Sequence, residues 1–307
     1  MTRGGAVARR LASRGWANSL LRRIAAERGR GLVLVYHRVG ASGSHVVPTI
    51  SEELFTHQLT LLTELGPIVP AEELLRPERS DSVRFALTFD DDYLSHREQV
   101  LPILLENRVP ATFFLSGRSL FGLPRYSFEV IDDLLATGSL TKLERTLGIE
   151  ASDGETLLAL CAADPSVAKR VEEFSQLPPE HLKATDVAAM VAAGMTIGFH
   201  TLEHPNLPSL SDADIALAVE RGRDDIETAA GVTIRLFAYP YGRTDKRVSE
   251  AVARAGYAAA FTGVPSPVTG RTRPYQVPRW EPGPLDERAF VAEITIRLNR
   301  AVHEERM

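Results

Sequence analysis

A single cysteine, Cys161, stands in 307 residues, which excludes an intramolecular disulfide and suits a chain that folds under reducing conditions. No stretch approaches the roughly 18 consecutive apolar residues of a membrane-spanning helix. Excess positive charge is missing too: the net charge is −5, which removes the electrostatic case for a nucleic-acid partner. Acids are nearly absent from the first thirty residues, where Glu27 stands alone against Arg3, Arg9, Arg10, Arg14, Arg22, Arg23, Arg28 and Arg30. Arginines and glycines break every apolar run there, so no secretory leader is read and a cytoplasmic location is expected. Trp16, Leu20, Leu21 and Ile24 fall at helical spacing in this basic arm. Two readings stay open for it: an amphipathic helix at the inner face of an anionic membrane, or a solvated or docked segment.

What is present, at 44% hydrophobic content, is a set of short buried-looking runs. Leu32–Tyr36, Arg84–Phe89, Ala111–Leu115, Met195–Phe199, Ile234–Tyr239, Tyr257–Phe261 and Tyr275–Val277 read as strands. Helical patterns separate them. One starts after Ser51, with Glu52 and Glu53 in its first turn; others run over Ala213–Ala230 and Lys246–Ala255. Strands alternating with helices predict a mostly parallel sheet, and seven of them an incomplete or distorted barrel. The stretch of about 118–194 is too long for one crossover and predicts an α-helical insertion between the third and fourth strands.

Reactive residues gather at the carboxyl ends of these strands, the catalytic face of an α/β barrel. Asp90, Asp91 and Asp92 follow the second run, His200 and His204 the fourth, Tyr239-Pro240-Tyr241-Gly242 the fifth, and Arg279-Trp280 the seventh, while His37 follows the first. Three adjacent carboxylates repel one another and call for a cation nearby. A carboxylate with two imidazoles suits one divalent transition metal, Zn²⁺ first, with Co²⁺, Ni²⁺ or Fe²⁺ as alternatives. A metal-dependent hydrolase is the reading these residues support.

Five segments in order then carry a resemblance: Tyr36-His37-Arg38-Val39, Thr88-Phe89-Asp90-Asp91, Ala111-Thr112-Phe113-Phe114-Leu115, His200-Thr201 with His204, and Phe237-Ala238-Tyr239-Pro240-Tyr241-Gly242. Over about 31–290 the chain resembles the polysaccharide deacetylases of carbohydrate esterase family 4, whose fold is a distorted (β/α)7 barrel. The resemblance implies that Asp90 is the general base and that Asp91, His200 and His204 ligate the metal. It also implies that a backbone N–H of the Tyr239–Gly242 turn, that of Tyr241, faces the oxyanion. Thr201 is expected to orient a loop or ligand.

This chain departs from the family pattern in places. Asp92 stands where glycine is usual, and it reads either as a helix N-cap or as a further site carboxylate. Phe237 takes the place of an arginine that pairs with the catalytic Asp, and Arg279 is the candidate replacement. The late Leu-x-Ile-His motif has no match, since Leu298 and His303 are wrongly spaced, and His37 is a candidate proton donor by position only. His45, His57, His96 and His181 read as surface residues. Trp280 reads either as a sugar-stacking wall or as core.

The expected function is removal of N-acetyl groups from amino sugars of a polysaccharide or its lipid-linked precursor, of the exopolysaccharide or capsule type. Two alternatives remain: a small-molecule amidase or cyclic-imide hydrolase on the same scaffold, and a non-catalytic carbohydrate-binding relative. The expected organisation is a basic arm at 1–30, the barrel at 31–290 and a C-terminal helix or tail at 291–307.

Overall fold

Alternation along one strand sets the architecture. In β4 (Arg84–Asp90), Phe85, Leu87 and Phe89 pack outward into the main apolar layer, while Ala86 packs inward with a second, smaller cluster. Strands buried on both faces in this way belong to a parallel sheet covered by helices. The computed structural model describes residues 31–40, 46–76, 82–151, 153–174 and 181–304; the basic arm at 1–30 and His45 lie outside them.

Six parallel strands form the sheet, in the order β1 (Gly31–Tyr36), β4, β5 (Thr112–Leu115), β6 (Thr196–Phe199), β7 (Leu236–Ala238) and β8 (Ala259–Phe261). A short parallel ribbon, β2 (Arg38–Val39) with β3 (Thr49–Ile50), lies between β1 and the first helix, α1 (Glu52–Leu65). Ser51 caps α1 by accepting from the Leu54 N–H, as its sequence predicts.

The seventh predicted strand is replaced by single bridges that close the barrel. Val277 pairs with β8, donating to the Ala260 carbonyl and accepting from the Thr262 N–H. Three residues on, Trp280 pairs with β1, exchanging bonds with Val33 and Val35 at 2.9 Å each. Pro278 has no N–H for a continuous ladder, so the segment crosses from one edge to the other instead of running as a strand. The result is the distorted (β/α) barrel that the sequence predicts.

The helical insertion lies between β5 and β6, as expected. It holds α3 (Ser127–Ala136), α4 (Leu140–Leu147), α5 (Gly154–Ala163) and α6 (Pro165–Phe174). These helices follow α2 (Leu101–Asn107) and precede α7 (Ala184–Ala192). They enclose their own core of Val130, Ile131, Leu134, Leu143, Ile149, Leu157, Cys161 and Val171.

The predicted helix over Ala213–Ala230 is two helices, α8 (Asp212–Ala218) and α9 (Arg223–Ala230). Gly222, at φ 91°, turns the chain between them. Beyond β7 comes α10 (Lys246–Arg254), capped by Asp245. The C-terminal α11 (Glu287–Glu304) packs on α1 and β1, with Phe290 stacked on Trp280 and Arg297 over the same indole. Trp280 is therefore core, 4% exposed, and not a sugar-facing wall. Among the described residues no helix is long and apolar enough to cross a membrane.

Candidate active site

Strand alternation would send Asp90 and Asp91 to opposite faces of the sheet. Asp90 continues the inward row of Ala86 and Thr88; Asp91 then adopts φ 72°, and the regular alternation ends there. Thr201 (φ 66°), His204 (φ 48°) and Tyr241 (φ 57°) are left-handed as well. Four of the five non-glycine residues with positive φ among the described residues thus come from the predicted site motifs. Such backbone is held only where surrounding structure over-determines it, and it clusters at functional sites.

Asp91, His200 and His204 each offer a ligand atom within 4.8 Å of the others. His200 Nδ1 donates to the Ala238 carbonyl at 2.9 Å, which fixes the tautomer and leaves the Nε2 lone pair facing the cluster. That Nε2 lies 4.0 Å from Asp91 Oδ1 and 3.7 Å from Asp90 Oδ2. Asp91 Oδ1 and His204 Nδ1 are buried without hydrogen-bond partners. Burial pushes the Asp91 carboxyl up to about 7, with Asp90, Glu129 and Asp92 adding to the shift and His37 opposing it. Burial holds both imidazoles below the ordinary histidine value. Two neutral imidazoles, one reluctant carboxylate and orphaned lone pairs fit a divalent cation, whose charge would reverse the carboxylate's shift.

Arg279 reaches Asp90 with both terminal guanidinium nitrogens, at 2.6 and 2.8 Å, and both residues are 2% exposed. Its Nε donates to the Thr262 carbonyl at 3.2 Å and its plane lies over the Phe114 ring. Burial alone would raise the Asp90 carboxyl; the charge and hydrogen bonds of Arg279, with His200 and His37, hold it well below the usual carboxylate range. Phe237, by contrast, faces outward among Phe199, Tyr239 and Tyr257. The inward-facing residues of β7 are Leu236 and Ala238, which flank Phe237, so an arginine at Phe237 would not have pointed into the barrel.

The sequence profile of the family described as polysaccharide deacetylase matches residues 78–260. A chitooligosaccharide deacetylase of Rhizobium leguminosarum bv. trifolii is 30% identical over 147 residues, covering 45% of this chain and 68% of that protein. This chain is a member of the polysaccharide deacetylase family. Solved structures agree on the fold. The Streptococcus pyogenes deacetylase PplD, in complex with acetate, superposes with a TM-score of 0.61 at 16% identity, covering 88% of this chain and 99% of that one. IcaB from Ammonifex degensii gives 0.60 at 20% identity, covering 88% and 97%.

As a polysaccharide deacetylase, the chain is a hydrolase acting on N-acetylated carbohydrate. Two departures favour a non-catalytic relative, the absent motif arginine and the absent late Leu-x-Ile-His motif; Arg279 against Asp90 answers the first of them. Tyr241 sits at the rim, 54% exposed, with its ring 4.6 Å from that of His204. Its turn is pressed onto the neighbouring loop: a Cβ on Gly242 would stand 2.3 Å from the Gly263 nitrogen. His37 Nδ1 meets Glu281 Oε1 at 3.0 Å, and both line a cleft of about 270 Å³ with Tyr36, Pro48, Ile50 and Pro284. Burial would lower His37, but the hydrogen bond and charge of Glu281, with Asp90 and Asp91, raise it to about 9. Glu281 was not singled out from sequence; its only signal was adjacency to Arg279-Trp280.

Three further expectations are corrected. Asp92 is not a helix N-cap. It is 3% exposed and accepts from the Ser116 N–H (2.8 Å), the Ser116 hydroxyl (2.6 Å) and the Gly117 N–H (3.3 Å), tying β4 to the β5 loop. His96 is fully buried, not a surface residue: its Nε2 donates to the His37 carbonyl at 2.9 Å, beside Phe89 and Phe113. His181 is buried as well and meets Glu129 at 2.9 Å. His57 alone of the described set lies at the surface, against Glu287. The hydroxyl of Thr201, fully buried, makes no hydrogen bond among the described residues.

Proposed function

We propose that this deacetylase is metal-dependent and removes N-acetyl groups from amino sugars of a polysaccharide or its lipid-linked precursor. The observation that carries the reading is the 3.7 Å approach of Asp90 Oδ2 to His200 Nε2, with Arg279 holding the carboxylate ionised on its other side. Asp91, His200 and His204 would hold the cation, Zn²⁺ by preference. When bound there, the cation supplies Lewis-acid polarisation of the acetamide carbonyl and lowers the pKa of an adjacent water.

The rest of the chemistry falls to the chain. Arg279 occupies one lone pair on each Asp90 oxygen, so each oxygen keeps a second. Asp90 accepts the proton of the attacking water. The Tyr241 N–H, set by the left-handed turn, donates to the oxyanion that forms. His37 supplies the proton to the leaving amine, because Glu281 keeps its imidazole protonated at neutral pH. The basic arm at 1–30 would bring the enzyme to an anionic inner leaflet and a lipid-linked acceptor.

The test is acetate release from N-acetylated amino-sugar oligomers, chitooligosaccharides included, by protein stripped of metal and then reloaded with Zn²⁺ or Co²⁺. Release that disappears on stripping and returns on reloading supports the reading. Full release by stripped protein defeats it.

A further inference from the structure

The loop carrying His204 holds left-handed backbone at Thr201 and His204, neither of them a glycine. It is tied down through its Glu203, which meets the exposed Arg221 at 3.7 Å and a buried arginine more closely. That arginine is Arg118, in the β5 loop, 2% exposed. Its NH1 donates to Glu203 at 3.0 Å, its NH2 to Glu172 of α6 at 2.5 Å, and its Nε to the Pro124 carbonyl at 2.6 Å. Its guanidinium lies 4.5 Å from the Tyr126 ring centre. Tyr126 and Phe128 in turn flank the His204 imidazole at 5.5 and 5.6 Å, and the Tyr126 hydroxyl reaches the Leu202 carbonyl at 3.4 Å.

The same residue touches the other ligand arm. The Arg118 N–H donates to Ser116 Oγ at 3.2 Å, and that hydroxyl donates to Asp92, the neighbour of Asp91. A buried guanidinium needs every partner it has, because its desolvation is offset only by well-formed pairs. Arg118 therefore ties together three elements that are far apart in sequence: the Asp91 turn, the His204 loop and the helical insertion.

We propose that Arg118 is a positioning residue, through which Glu172 of the insertion holds the His204 loop in ligand geometry. The insertion is then part of the metal site's support. The inference rests on Asp91, His200 and His204 being the cation ligands.

Zinc affinity, read by competition with a chromophoric chelator, tests it directly, with melting curves taken with and without zinc. The set is wild type, Arg118→Lys, Glu172→Gln and, as control, Lys169→Ala on the exposed side of α6. Lysine offers a point charge and cannot serve two carboxylates and a carbonyl in one plane. Loss of a group that orients a ligand typically weakens metal binding by about 10–100-fold. Arg118→Lys is expected in that range and Glu172→Gln at its lower end, with Lys169→Ala like wild type. In both affected variants the melting gain on adding zinc shrinks more than the metal-free melting point does, and kcat falls with KM little changed. Folded Arg118→Lys and Glu172→Gln proteins that bind zinc within twofold of wild type overturn the proposal. A wild type that binds no zinc overturns the metal site itself, and this inference with it.

Discussion

Arg279 and Asp90 are 189 residues apart in the chain and share two hydrogen bonds of 2.6 and 2.8 Å in the barrel interior. The pair exists because the barrel closes: Val277 bridges β8, Trp280 bridges β1, and Arg279 between them is 2% exposed. Removing one member leaves a buried charge unpaired, which costs about 3–5 kcal/mol. Arg279→Met is therefore expected to lower unfolding stability in urea by that order. The double variant Asp90→Asn, Arg279→Met is expected to be less destabilised than the sum of the singles, since no lone charge remains. Additive losses would show that the fork contributes nothing as a pair.

Adjacent carboxylates with different neighbours should fail differently. Asp90→Asn keeps the three-residue cluster of Asp91, His200 and His204 and should bind Zn²⁺ like wild type while losing acetate release by about 10²–10⁴-fold, the usual weight of general base catalysis. Asp91→Ala should lose the metal itself. Zinc titration of the two variants beside an acetate assay separates the roles; identical zinc loss in both would place Asp90 among the ligands.

Continuous apolar runs made the strands readable, because a sheet covered on both faces leaves little choice of residue. The reactive positions were readable for a related reason: they follow those runs, where side chains reach the barrel mouth. Contacts made by closure were only partly readable. Arg279 was placed at a strand end, but the run at 275–277 looked like a strand, whereas the 277–280 crossing is single bridges around Pro278. Glu281, which comes into place with it, carried no pattern of its own. Asp92 looked like a helix cap because its partner, Ser116, lies on another loop. His96 carried a signal that went unused: with Val100 and Leu104 it forms an i, i+4, i+8 row, all fully buried. Phe237 was misplaced by one residue, which in a strand means the opposite face.

The His37–Glu281 pair carries a pH signature of definite sign. His37 is raised from 6.5 to about 9 in the folded protein, so its contribution to stability is fully present below pH 6.5 and is lost as pH rises toward 9. In Glu281→Gln the hydrogen bond's charge is gone. The His37 ring-proton titration in metal-free protein, followed by NMR, should then move from near 9 toward the ordinary histidine value. Stability between pH 6.5 and 9 should lose its dependence on this group. An unchanged midpoint would detach Glu281 from the proton donor.

Gly242 gives the sharpest test of the oxyanion turn. It sits at φ 63°, and a Cβ there would fall 2.3 Å from the Gly263 nitrogen and 2.4 Å from its Cα, neither of which is the end of a flexible side chain. Gly242→Ala must therefore move the Tyr239–Gly242 turn or the 263 loop, and with the turn goes the Tyr241 N–H. A displaced oxyanion donor costs about 10²–10³ in kcat, with substrate affinity much less affected. The fold should survive, since the turn lies at the barrel rim where Tyr241 is 54% exposed. Acetate-release kinetics beside a melting curve decide it: a large fall in kcat in a folded, zinc-binding protein is the expected result. Wild-type kcat in that variant would mean that the Tyr241 N–H does not face the oxyanion.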